Sequence, residues 1–160
     1  MINDLSQIPC MILCGGKGTR LRDVTENLPK PMVPIGDIPI VVHIMNWYAK
    51  FGLKKFILCL GYKKEIFIDY FTNFLKYNND VSIDLMSNKI DILHEKHIDW
   101  QIILCDTGLE SKTGKRVKIA FNKYVNDKRF MLTYGDGVSN VDINKLYDEH
   151  VKSSKLLTLT

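Results

Sequence analysis

The sequence predicts an α/β protein with a Rossmann-like, mostly parallel sheet and helices on both faces. Short runs of consecutive apolar residues alternate with stretches of helical periodicity along almost the whole chain. Strands that are apolar on both sides suit a sheet buried on both faces, as parallel sheets are. In addition, three polar, glycine-bearing segments (15–20, 107–116 and 135–137) each follow an apolar run. In a parallel α/β sheet, ligands bind beyond the C-terminal ends of the strands.

Taken in order, residues 9–14 read as a short strand interrupted by the glycine-rich turn 15–18. A helix opens near Pro39, with Val41, Ile44, Met45, Tyr48 and Phe51 at helical spacing, and Gly52 stops it. Residues 56–60 form a continuous apolar strand closed by Gly61. Phe67, Ile68, Phe71, Phe74 and Leu75 mark an amphipathic helix. Residues 81–86 and 90–94 alternate as the arms of a hairpin around 87–89. A strand over 100–105 leads into a polar loop over 106–115. Val117, Ala120, Phe121 and Tyr124 then repeat as a helix. The strand 130–134 runs into Gly135-Asp136-Gly137. Asp142 is placed to cap a helix whose inner face is Ile143, Leu146, Tyr147 and Val151. Residues 156–160 read as a further strand. The whole of 1–160 is expected to form a single domain.

Composition bounds the function. The chain has 160 residues, 46% of them hydrophobic and 25% charged, and a net charge of +4. Those are the proportions of an ordinary globular domain. Its positive residues are scattered rather than gathered into a stripe, which argues against nucleic acid as partner. No apolar run approaches the roughly 20 residues that cross a bilayer. The polar N-terminus lacks the basic start and apolar core of a signal peptide, so a cytoplasmic protein is expected. Cys10, Cys14, Cys59 and Cys105 lie in or beside apolar runs with no C-x-x-C pair. They read as small hydrophobes of a reducing compartment.

Two segments carry chemistry. In Leu13-Cys14-Gly15-Gly16-Lys17-Gly18-Thr19-Arg20-Leu21, three glycines after a strand let backbone N–H groups turn around an anion. Thr19 adds a hydroxyl donor and Arg20 a fixed cationic fork suited to phosphate. The segment is no P-loop, because Lys17 is followed by Gly18. Nor is it a dinucleotide fingerprint, because Leu21 stands at the third glycine position. In Pro29-Lys30-Pro31-Met32, two prolines stiffen the backbone on either side of Lys30 and so position it. Asp136, between two glycines after an apolar strand, exposes a carboxylate at the sheet's edge. His43, Trp47 and Trp100 read as structural, whereas Tyr62 follows a strand end and stays open between the two roles.

The combination of L-x-G-G-x-G-T-R-L with P-K-P-M resembles the sugar-phosphate nucleotidylyltransferases. Leu60-Gly61-Tyr62-Lys63, Asp106-Thr107-Gly108, Thr113-Gly114-Lys115-Arg116 and Thr133-Tyr134-Gly135-Asp136-Gly137 look like the glucose-1-phosphate cytidylyltransferase branch. The resemblance runs from about residue 9 to the last residue, with Lys115 standing where the family usually has a second glycine. It implies condensation of CTP with a sugar 1-phosphate, expected to be glucose 1-phosphate, to a CDP-sugar and pyrophosphate. It further implies that Leu13, Gly15, Gly16 and Gly18 line the nucleotide and that Thr19 and Arg20 hold the triphosphate. Lys30 would contact the reacting phosphates, with Arg20 and Lys30 catalytic. Thr113 and Gly114, on the loop after a strand, would face the cytosine, and Arg116 would lie beside the nucleotide. Asp136 would coordinate Mg²⁺. Relatives commonly assemble, so a homo-oligomer is open. The complete enzymes continue beyond this length with the sugar-phosphate-binding part. The expectation is therefore a chain that holds nucleotide but turns over poorly or not at all. The alternative is a truncated, non-catalytic nucleotide-binding or regulatory protein.

Overall fold

The structure, a computed structural model, describes residues 4–16, 28–93, 98–126 and 129–160. Strand β1 (Cys10–Leu13) is followed by a 3₁₀ turn over Lys30–Met32 and a small ribbon of β2 (Pro34–Ile35) and β3 (Ile38–Pro39). Then come α1 (Ile40–Lys50), β4 (Lys55–Leu60), α2 (Lys64–Thr72) and α3 (Phe74–Asn78). The hairpin β5 (Asp80–Asp84) and β6 (Lys89–Leu93) precedes β7 (Gln101–Asp106), α4 (Thr113–Tyr124), β8 (Met131–Tyr134) and α5 (Ile143–Ser153).

Four strands form the main sheet in the order β7-β4-β1-β8, and every adjacent pair is parallel. The expected α/β class is therefore found. The two central strands explain their own composition. Cys10, Ile12 and Cys14 of the β1 segment, with Phe56, Leu58 and Leu60 of β4, pack on one face against α1, Phe67, Phe74 and Ile143. The alternate residues Met11, Leu13, Ile57 and Cys59 pack on the other face with Cys105 and Ala120 of α4. A strand whose side chains alternate between two dry faces has no place for a polar residue. All four cysteines are free and buried, as their apolar settings suggested.

Local signals set the helix ends. Helix α1 stops in a Schellman turn, in which the Gly52 N–H donates to the Ala49 carbonyl at 2.9 Å and the Leu53 N–H to Tyr48 at 3.4 Å. Gly52 has φ +94°, open to glycine at little cost. Asp142 caps α5, its carboxylate accepting from the Lys145 N–H at 3.1 Å.

Three expectations are corrected. The single helix expected around residues 67–75 is two, because Asn73 breaks it. Its side-chain amide donates back to the Asp69 carbonyl at 2.9 Å, in competition with the regular ladder. The helix expected from Val117 begins one turn earlier, at Thr113. The strand expected over 156–160 is not formed. A strand exists only through pairing, and this segment joins no ladder among the described residues. Its leucines 156, 157 and 159 are exposed, and the His150 ring meets the Thr158 hydroxyl at 2.9 Å.

Gly52→Ala places a side chain in open space but at positive φ. It should lower the unfolding free energy by about 1 kcal/mol without altering the fold, as read by urea titration.

Candidate functional site

Parallel pairing brings the C-terminal ends of all four strands to one edge, and the site is built there. Beyond β1, the Cys14 N–H continues the ladder to the Cys59 carbonyl at 3.0 Å. The chain then turns at buried Gly15 and exposed Gly16. Beyond β8, the Gly135 N–H donates to the Leu13 carbonyl at 3.0 Å. A Cβ on Gly135 would stand 2.8 Å from Cys14 Sγ and 3.1 Å from Pro31 Cγ, so no other residue fits without a shift. That close approach locks β8, β1 and the proline-flanked turn together. It also sets Asp136 opposite Lys30: Lys30 Nζ donates to Asp136 Oδ2 at 2.7 Å, each side chain 35% exposed. Pro31 and Met32, buried beside Lys30, fix the base of its side chain.

At the other side of the edge, beyond β7, Asp106 pairs with Lys64 at the start of α2 and accepts from the Gly108 N–H at 3.0 Å. The Lys64 hydrogen bond is the main reason the Asp106 carboxyl titrates below its ordinary range. Thr107 is buried and donates its hydroxyl to the Leu60 carbonyl at 2.5 Å. Next to it lies Arg116, only 5% exposed. Its Nη1 donates to the Leu60 carbonyl (3.0 Å), Thr107 Oγ1 (2.7 Å) and the Gly108 carbonyl (2.8 Å). Its Nη2 donates to the carbonyls of Gly15 and Leu109, both at 3.0 Å.

The anticipated site residues thus fall as follows. Leu13, Gly15, Gly16, Lys30 and Asp136 converge at the β1 and β8 ends, and Lys30 joins Asp136 across 106 positions of sequence. Gly18, Thr19 and Arg20 lie outside the described residues. Thr113 and Gly114 are exposed on the first turn of α4 rather than on a loop. Lys112 gives that turn no side-chain cap, so its positive end is open to solvent. These residues stand beyond β7, three strand spacings of about 4.8 Å from β8, a span suited to an elongated ligand. Arg116 reaches the same edge, but it faces inward. Thr107 and the Lys64–Asp106 pair had no role in the sequence reading. Thr107 and Asp106 were visible only as part of a motif, and nothing local links Lys64 to a partner so far along the chain.

Other candidates are structural. The His43 ring meets the Ile35 carbonyl at 2.9 Å, and Trp47 Nε1 donates to the Val141 carbonyl at 2.9 Å. Burial raises all four thiols, Cys59 to about 12, so none is a thiolate nucleophile or ligand near neutral pH. A concavity of about 400 Å³ opens at the opposite edge, among Ser6, Lys54, Lys55, Gln101 and Asn126. It lies at the strand starts, away from the glycine turns, and it carries none of the grouped chemistry described above.

Two measurements probe this geometry. Gly135→Ala should cost about 1–3 kcal/mol by overpacking and displace Asp136 from Lys30, seen as a lowered thermal midpoint. For Lys64–Asp106, the depressed carboxyl pKa stabilises above pH 3.8, and that stabilisation is lost as pH falls through the folded value. The raised lysine pKa stabilises below pH 10.5, and that stabilisation is lost as pH rises through the folded value. The thermal midpoint of Lys64→Met should therefore lag the parent's most between those limits and approach it at acid pH.

Comparison with known proteins agrees with this architecture. The family model described as nucleotidyl transferase matches residues 10–160. The glucose-1-phosphate cytidylyltransferase of Salmonella typhimurium is 42% identical over 150 residues, covering 94% of this chain and 58% of that protein. A probable glucose-1-phosphate cytidylyltransferase of Bacillus subtilis is 38% identical over 150 residues, again covering 94% of this chain and 58% of that protein. This chain thus spans little more than half the length of these relatives. Among solved structures, HddC from Yersinia pseudotuberculosis complexed with GMP-PN aligns with TM-score 0.60 and 28% identity, over 90% of this chain and 54% of that one. With the family model extending over nearly the whole chain, the protein belongs to the nucleotidyl transferase family.

Proposed function

We propose that this chain is the nucleotide-holding part of a cytidylyltransferase that condenses CTP with a sugar 1-phosphate, glucose 1-phosphate by its relatives, to a CDP-sugar and pyrophosphate. The observation that carries this reading is the Lys30–Asp136 pair at 2.7 Å, held beside the glycine turn at the sheet's C-terminal edge. The names of the relatives at 42% and 38% identity support the cytidylyl chemistry and the glucose substrate.

The chemistry asks little beyond positioning and charge. The attacking oxygen of a sugar 1-phosphate is already anionic, so it forms a bond to the α-phosphorus of CTP without a general base. The bond from that phosphorus to the bridging oxygen breaks, and pyrophosphate leaves. Lys30, stiffened by its prolines, supplies a cation against the phosphates. Mg²⁺ takes one or two carboxylates together with phosphate oxygens and water. Asp136 suits it: Oδ2 is held by Lys30, while Oδ1 bonds to nothing among the described residues. A bound ion there would neutralise phosphate charge. Arg20, outside the described residues, is assigned to the triphosphate on the sequence resemblance. The uncapped first turn of α4, with Thr113 and Gly114, is assigned to the base side.

Titration with Mg-CTP should show saturable binding. It should weaken about tenfold or more in Asp136→Asn and in Lys30→Met, the worth of one charge-assisted contact. Binding in these variants equal to the parent would sink the site assignment. Pyrophosphate release with CTP, Mg²⁺ and glucose 1-phosphate tests turnover. Binding without release would favour a non-catalytic nucleotide binder.

A further inference from the structure

Arg116 is the one buried charged residue in the described core, and its surroundings are unusual for a guanidinium. It forms no ion pair with a carboxylate among the described residues. Its four Nη hydrogens instead serve five neutral acceptors drawn from three separate segments. Two of the glycines at this edge are glycine because of it. A Cβ on Gly15 would overlap the guanidinium, and one on Gly61 would stand 2.5 Å from Nη1. The Gly15 carbonyl accepts both from Arg116 Nη2 at 3.0 Å and from the Tyr62 N–H at 3.3 Å. In a trans peptide the carbonyl and the following N–H point in opposite directions. Fixing the Gly15 carbonyl inward therefore turns the Gly16 N–H outward, and that N–H bonds to nothing among the described residues.

We propose that Arg116 is a positioning residue: it clamps the Gly15–Gly16 peptide so that the Gly16 N–H is presented to the bound nucleotide. This differs from a direct contact, because the guanidinium fork is spent on protein acceptors and offers no pair of N–H groups to a phosphate. The positive charge nonetheless stays just behind the glycine turn, offset in part by the Asp106 and Glu110 carboxylates, and it favours an anion on the far side. The identity of the ligand rests on the nucleotide reading above; the clamp itself does not.

The parent, Arg116→Lys, Gly15→Ala and the double variant are compared, with Arg116→Gln replacing the lysine variant if that one does not fold. Without ligand, the Gly16 and Tyr62 amide resonances should move in Arg116→Lys and the Tyr62 amide should exchange faster, while amides of α5 stay as in the parent. With Mg-CTP, each single variant should lose about tenfold or more in affinity, as loss of a supporting hydrogen-bond partner does. The double variant should bind no worse than the weaker single one, since both changes displace the same group. Additive losses, or parent-like affinity in Arg116→Lys, would overturn the proposal. Absence of Mg-CTP binding in the parent would instead refute the nucleotide reading, and unchanged Gly16 and Tyr62 amides would still refute the clamp.

Discussion

Strands β1 and β4 have no wet side. Each is hydrogen-bonded on both edges by parallel neighbours and covered on both faces by apolar side chains. That constraint governs the rest of the molecule. With both faces and both edges occupied, the strand ends are the only part of the central sheet that a ligand can reach. Parallel pairing sends all the C-terminal ends to the same side, so segments far apart in sequence meet there. Residues 13–16, 106–109 and 135–136 owe their proximity to this, and Lys30 joins them through the packing of Gly135 against Pro31.

The same burial creates a problem at the edge. Where a strand stops, its last carbonyls remain in the protein interior with a second acceptor position to fill beyond their one backbone donor, the Thr107 N–H for Leu60 and the Tyr62 N–H for Gly15. Thr107 and Arg116 answer it together. The hydroxyl of Thr107 takes the Leu60 carbonyl while itself accepting from Arg116, and the guanidinium gathers the carbonyls of Leu60, Gly15, Gly108 and Leu109. Burying a charge to satisfy neutral acceptors is expensive unless its donors are used, and here both Nη groups are. The arrangement accounts for glycine at positions 15 and 61 by steric exclusion alone, before any ligand is considered.

On the opposite side of the edge, the fit is one of shape rather than charge. Gly135 nests against Cys14 and Pro31. Because that contact is backbone against side chain, it fixes the height at which Asp136 leaves the sheet and so its meeting with Lys30. Chemistry at this end thus depends on a contact that carries no charge at all, which is why Gly135 matters as much as the acid beside it.

The sequence by itself determined the fold class, the order of nearly all strands and helices, and the caps at Gly52 and Asp142, and it singled out Lys30 and Asp136, which the fold brings together. Those features follow from periodicity, apolar runs and turn chemistry, which are local. The resemblance to nucleotidylyltransferases added the expected ligands, and it too was carried by short local motifs. Only the tertiary structure decided which way Arg116 faces, that Thr113 opens a helix, that Lys64 meets Asp106, and that residues 156–160 form no strand. Each of these turns on a partner many residues away: the carbonyls that need a donor, the carboxylate across the edge, or a neighbouring strand to pair with. Periodicity can show that a residue is buried or exposed, but not what it will find there.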